Sequence, residues 1–211
     1  MRRFAGRIGG GLVLGGCVLL AAGIATGATG PAGPAGPAGV DGTPLRDAGM
    51  PLLNAALALL GAGAAVLGLA GPRPLDGRGI RVGLVVLAVG LVSLVACLLT
   101  PIPVGSNSLA SLPYVLSGGI GFLAIAIGTP VTVVSLVRTP GEPRFVGALF
   151  LIGLLMVIVF RLLANGVIAL GPLQPVVELL AALGGGAILL ALAGLGMLAI
   201  RGGRAVSEAS A

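Results

Sequence analysis

The 211-residue chain is 57% hydrophobic and only 9% charged, with a mean hydropathy of +1.17; soluble proteins are about a quarter charged, so an ordinary water-soluble globule is excluded. Its net charge of +6 comes from twelve arginines against six acidic residues, with no lysine, and the arginines cluster in short segments between apolar stretches, which fits membrane topology and not nucleic-acid binding. His is absent, so imidazole supplies neither a metal ligand nor a general base.

Six apolar stretches, at 8–28, 50–71, 80–100, 112–137, 145–170 and 174–200, each hold about 20 or more residues, the length that crosses ~30 Å of hydrocarbon at ~1.5 Å per residue. The first follows Arg2, Arg3 and Arg7, as the apolar core of a signal peptide would. Ile8 to Ala28 is longer than such a core, however, and five more stretches follow. Leu14-Gly15-Gly16-Cys17 resembles a bacterial lipoprotein box, but Val18 to Ala22 continues the span instead of turning polar. Gly6 to Gly10, Gly11 to Gly15 and Gly23 to Gly27 each form a G-x-x-x-G, the spacing at which helices approach closely. Packing inside the monomer is the expected use, and a homo-oligomer or a membrane partner the alternative. Gly184-Gly185-Gly186 in the sixth stretch offers a similar smooth surface.

Segment 29–49 joins the first two stretches as an external Gly/Pro-rich loop. Within it, Gly30 to Gly42 has Gly at every third position, as collagen does, but four or five triplets are too few for a triple helix. Each proline pushes the preceding residue out of helical geometry, so an extended, polyproline-like loop is expected. Helices two, three and five should close at Gly71-Pro72, Thr100-Pro101 and Gly171-Pro172. In the fourth stretch, Gly118-Gly119-Ile120-Gly121 and Thr129-Pro130 predict flexibility and a kink. Cys17 and Cys97 fall at different depths, about 10 Å apart, beyond the ~7 Å Cα limit for a disulfide; both are expected to be free and buried.

Orientation follows from the arginines. Arg2, Arg3 and Arg7, then Arg73, Arg78 and Arg81, then Arg138 and Arg144, and lastly Arg201 and Arg204 occupy four segments on one side of a six-span bundle. The opposite side has only Arg46, against Asp41 and Asp47, while Pro101 to Ser111 and Gly171 to Pro175 are uncharged. Because short cytoplasmic loops carry the positive excess, both termini are expected inside. The chain thus reads as all-α, a polytopic bundle of six transmembrane helices spanning 1–200 in the cytoplasmic membrane, with a short cytoplasmic tail at 201–211.

Only Arg161 and Glu178 carry charge well inside a span. Arg161 lies ~24 Å along the fifth helix, with Asn165 one turn further out on the same face. Glu178 sits a turn inside the outer end of the sixth, joined to the fifth by a short connection that makes the two antiparallel neighbours. An unpaired charge there costs at least ~2.5–3.5 kcal/mol, so intramembrane charges are usually paired and often functional. The Arg side chain can reach outward, so Arg161, Asn165 and Glu178 form one candidate ion-paired group. Asn54, Tyr114 and Ser117 fall in the same leaflet, and the six residues define a candidate outward-facing binding pocket. A purely structural clamp between the fifth and sixth helices is the competing reading.

The pattern resembles the six-helix membrane family known as domain-of-unknown-function family 998. The likeness rests on Leu98-Leu99-Thr100-Pro101-Ile102-Pro103, on the small- and aromatic-containing run from Tyr114 to Phe122, and on Val176-Val177-Glu178-Leu179-Leu180. The family pattern implies an acidic residue and a His near the turn between the third and fourth helices, and Glu-Arg at the start of the sixth. This chain has no His and carries Leu179 after Glu178, and the family carries no established activity.

Two roles follow. One is binding or moving a small solute or lipid through the outer polar cluster. The other is a structural role, holding a partner through the Gly-rich faces. An enzyme is disfavoured, since Glu178 and Arg161 alone, without His, a Cys pair or a carboxylate cluster, leave little chemistry and no metal or cofactor site. The lipid bilayer is the one partner the composition itself implies.

Overall fold

The six apolar stretches are helices in the computed structural model, which describes residues 2–28, 44–72, 75–99, 112–163 and 174–208. They are α1 (Arg2–Ala28), α2 (Pro44–Ala70), α3 (Arg78–Leu99), α4 (Leu112–Arg138), α5 (Glu142–Leu162) and α6 (Gln174–Glu208). Each contains a segment long and apolar enough to cross a membrane, and no strand occurs among the described residues. The protein is an all-helical, multi-pass membrane bundle.

Several helices run past their apolar segments. α1 begins at Arg2 and α2 at Pro44, so 44–49 belong to a helix and not to the connecting loop. α6 continues to Glu208, through most of the segment expected to be a tail. α2 ends at Ala70, just before Gly71-Pro72 as expected, and α3 ends at Leu99. The collagen-like tract, Thr100-Pro101 and Gly171-Pro172 lie outside the described residues, as does the end of the expected fifth span. α4 keeps helical hydrogen bonding through Pro130. Proline removes one backbone donor, and two residues later Thr132 donates its hydroxyl to the Gly128 carbonyl at 2.8 Å.

The helices pack in chain order, each against the next, and α6 closes back on α1. Glycine makes these seams close. A methyl group placed on Gly10 would lie 2.5 Å from the Gly196 carbonyl, closing α1 on α6. On Gly63 it would lie 3.0 Å from the Gly9 carbonyl, between α1 and α2. Gly153 and Gly184 join α5 to α6 in the same way, with the Gly184 carbonyl 2.8 Å from a methyl on Gly153. Gly6 and Gly10 therefore serve packing within the chain. A methyl on Gly11 would meet nothing within 4 Å among the described residues, and one on Gly15 would meet only Leu59 at an ordinary 3.6 Å, so that second pair does not form a seam.

A continuous seam joins α3 to α4. Gly83 lies against Thr132 and Gly128, and Gly90 against Gly121 and Ile125. The glycines recur every seven residues on both helices, which keeps one stripe facing its partner over the whole contact. In lipid, such close backbone approach replaces the hydrophobic drive that is missing between apolar helices.

Val13, Leu67, Leu84 and Leu136 fill the core together with Leu75, which is fully buried although it lies in the connection between α2 and α3. Leu75 is held there by its backbone N–H, which donates to Pro72 at 2.9 Å. Elsewhere large apolar side chains point outward, among them Phe122, Phe145 and Leu69, each more than 70% exposed. So much exposed apolar surface is what a lipid-embedded bundle presents. The turn between α4 and α5 is short: Thr139 caps α4 by donating its hydroxyl to the Ser135 carbonyl at 2.8 Å. Gly141 then adopts φ 91°, a backbone region that favours glycine, and Pro143 starts α5 with Glu142 in its first turn.

Candidate functional site

Glycine contacts set the register between helices and hence the level of each polar residue. Along the α3/α4 seam, the pairs Gly83 with Gly128 and Gly90 with Gly121 lead on to Cys97 opposite Tyr114 and Gly118. There the Cys97 thiol donates to the Tyr114 carbonyl at 3.5 Å, and the Ser117 hydroxyl donates to the same carbonyl at 3.2 Å. Two of the expected site residues, Tyr114 and Ser117, are thus joined, with Cys97 as a third member that the sequence pattern did not select. A cysteine inside an apolar run reads as a small hydrophobe. Only the α3/α4 register reveals what it touches.

Asn54 reaches the same level from α2. Gly68 packs on Val85 and the Arg81 carbonyl, and Gly61 on Leu91, Val92 and the Ala88 carbonyl. Continuing that antiparallel register carries Asn54 to the end of α3 that bears Cys97. The Oδ1 atom of Asn54 is buried and has no hydrogen-bond partner among the described residues. Left without a donor in hydrocarbon, such an acceptor is costly, and a hydroxyl, amide or ammonium group would satisfy it.

On the other side of the ring, α5 and α6 fix the level of Glu178. A methyl placed on Gly184 would lie 2.8 Å from the Met156 Cβ and 3.0 Å from the Val157 nitrogen. Following both chains outward from that contact brings Glu178 level with the last turn of α5, where Arg161 sits. Glu178 is exposed and is not an isolated charge. Asn165 lies outside the described residues, as does the side chain of Arg161.

The described members of the expected set divide between two sides of the bundle. Asn54, Tyr114 and Ser117 belong to the α2–α3–α4 side, while Glu178 and the backbone of Arg161 belong to the α5–α6 side, all near the arginine-poor end of the bundle. Deeper in, Leu84 and Leu87 of α3 face Ala191 and Leu195 of α6 across an apolar void of about 10 Å³. That is at the lower limit of what one water needs (~10–15 Å³), and a water also needs polar partners that this apolar lining hardly supplies, so the centre is packed at that level. Among the described residues, no three of His, Cys, Asp and Glu come together as a metal site.

Compared with known proteins, the chain matches no family model, no curated protein and no solved structure. The site is therefore read from its own geometry.

Proposed function

We propose that this six-span protein lies in the cytoplasmic membrane with both termini inside and binds or moves a small solute or lipid at its outer end. The single observation that carries this is the buried Oδ1 of Asn54, without a partner among the described residues, at the level of the Cys97–Tyr114–Ser117 group. A buried acceptor left open costs ~1–3 kcal/mol, and a ligand donor entering from outside offsets that cost. Arg161, Asn165 and Glu178 supply the charged side of the same level and orient a polar or zwitterionic head group. The inward orientation rests on the arginine asymmetry. Kinship with the six-helix family that the sequence resembles is part of the same proposal.

The test uses the chain reconstituted in liposomes. Substrate-dependent flux is abolished by Glu178→Gln and by Asn54→Leu, while Asn54→Leu raises thermal stability because the orphan acceptor is gone. Flux untouched by both changes refutes the reading.

A second reading has its own support. A methyl on Gly185 or Gly186 of α6 or on Gly11 of α1 would meet nothing within 4 Å among the described residues. A structural protein would offer these faces to a membrane partner or a second copy. Crosslinking that captures the same partner whatever residue stands at 178 favours this reading over the first.

A further inference from the structure

A groove runs along the outer surface between α2 and α3, lined by Ala65 and Leu69 on one wall and Val85, Val89, Val92 and Ser93 on the other, with a volume of about 280 Å³. Leu69, Val89 and Val92 form its lips and are at least half exposed, so it opens sideways to the acyl region of the bilayer. From Val85 to Ser93 it follows ~12 Å of helix axis, enough to seat a stretch of one extended hydrocarbon chain. Its volume is just below the ~300–1,000 Å³ of small-molecule clefts.

Its arginine-rich end is where charge enters. Arg81 stands one helical turn beyond Val85 on the wall that packs against Gly68. The Arg81 guanidinium pairs with Asp76 through one terminal nitrogen, while its Nε is buried with no acceptor among the described residues. Arg78, three residues earlier at the start of α3, is exposed. The first turn of α3 adds the positive end of its helix dipole. The apolar slot thus ends within one to two helical turns of two arginines, the exposed Arg78 and the half-buried Arg81.

We propose that this groove holds a phospholipid with an anionic head group, one acyl chain lying between α2 and α3 and the phosphate bound at Arg78 and Arg81. Basic sites between transmembrane helices on the cytoplasmic side recognise anionic head groups in this way. The site lies at the end of the bundle opposite Asn54 and stands independently of the outer site.

Native mass spectrometry of the purified full chain in detergent, with added phosphatidylglycerol or phosphatidylcholine of identical acyl chains, tests it. The wild type retains phosphatidylglycerol in preference. Arg78→Gln, which leaves the Arg81–Asp76 pair intact, lowers the preference about fivefold, as does Arg81→Gln. Val89→Phe fills the groove and reduces retention of both lipids, while circular dichroism shows the fold retained. Equal retention of the two lipids by the wild type overturns the proposal, as does a preference unchanged in Arg78→Gln or a total lipid retention unchanged in Val89→Phe. Displacement of the lipid by glycerol phosphate alone also overturns it, because the acyl groove would then contribute nothing.

Discussion

Gly128→Ala tests the α3/α4 seam most sharply. The added methyl would sit 2.6 Å from the Leu87 nitrogen and 3.0 Å from the Gly83 carbonyl oxygen, where ordinary contact begins at 3.4 Å. Both obstacles are backbone, so no side chain can swing aside, and the helices must part by about 0.8 Å or bend; such overpacking costs ~1–3 kcal/mol. Alanine favours the helix over glycine by ~1 kcal/mol, which would mask part of the loss, so the comparator is Gly119→Ala on the same helix, with nothing within 4 Å. The propensity gain is common to both variants, and their difference isolates the ~1–3 kcal/mol of packing. Because the chain has no Trp, reversible unfolding in mixed detergent is followed by far-ultraviolet circular dichroism. Equal stability of Gly128→Ala and Gly119→Ala would refute the claim that backbone approach holds α3 to α4. Combining Gly128→Ala with Gly83→Ala should cost less than the two single losses together, since one displacement relieves both clashes.

The closure of α6 on α1 is probed by Gly10→Ala, whose methyl would lie 2.5 Å from the Gly196 carbonyl, against Gly11→Ala, which meets nothing; only the first should destabilise, by ~1–3 kcal/mol in the same assay. Cys17 and Cys97 are both buried and unpaired, so a polar maleimide should label neither in the folded protein and both after denaturation, with no reductant required. Labelling of either thiol in the folded state would contradict the packing around it.

The spans were legible because hydrocarbon thickness imposes a length that apolar runs must meet. Helix ends were less so: hydropathy reports residues that sit in lipid, whereas Arg2 to Arg7, Pro44 to Ala48 and Arg201 to Glu208 are polar or mixed turns that remain helical outside the apolar window. Glycine seams were half visible. The four-residue spacing of Gly6 and Gly10 pointed to packing, but equal spacing at Gly11 and Gly15 joins nothing, because neighbouring helices, not spacing, decide which face is covered. The seven-residue repeat of Gly83 with Gly90 and of Gly121 with Gly128 was present in the sequence, and a search confined to four-residue motifs passes over it. At the site, depth could be counted from helix starts, which put Asn54, Tyr114 and Ser117 at one level. Lateral position could not be counted, since it depends on the ring order that sets Glu178 on the α5–α6 side and on the α3/α4 register that brings Cys97 to the Tyr114 carbonyl.

The central claim is that the chain crosses the bilayer six times with its arginine-bearing connections inside. Reporters active only in the cytoplasm or only outside it, inserted in turn near Asp76, Asn107, Thr139 and after Arg204, measure this directly. The account predicts cytoplasmic signals at Asp76, Thr139 and the C-terminal segment and an external signal at Asn107; a cytoplasmic signal at Asn107 would contradict it.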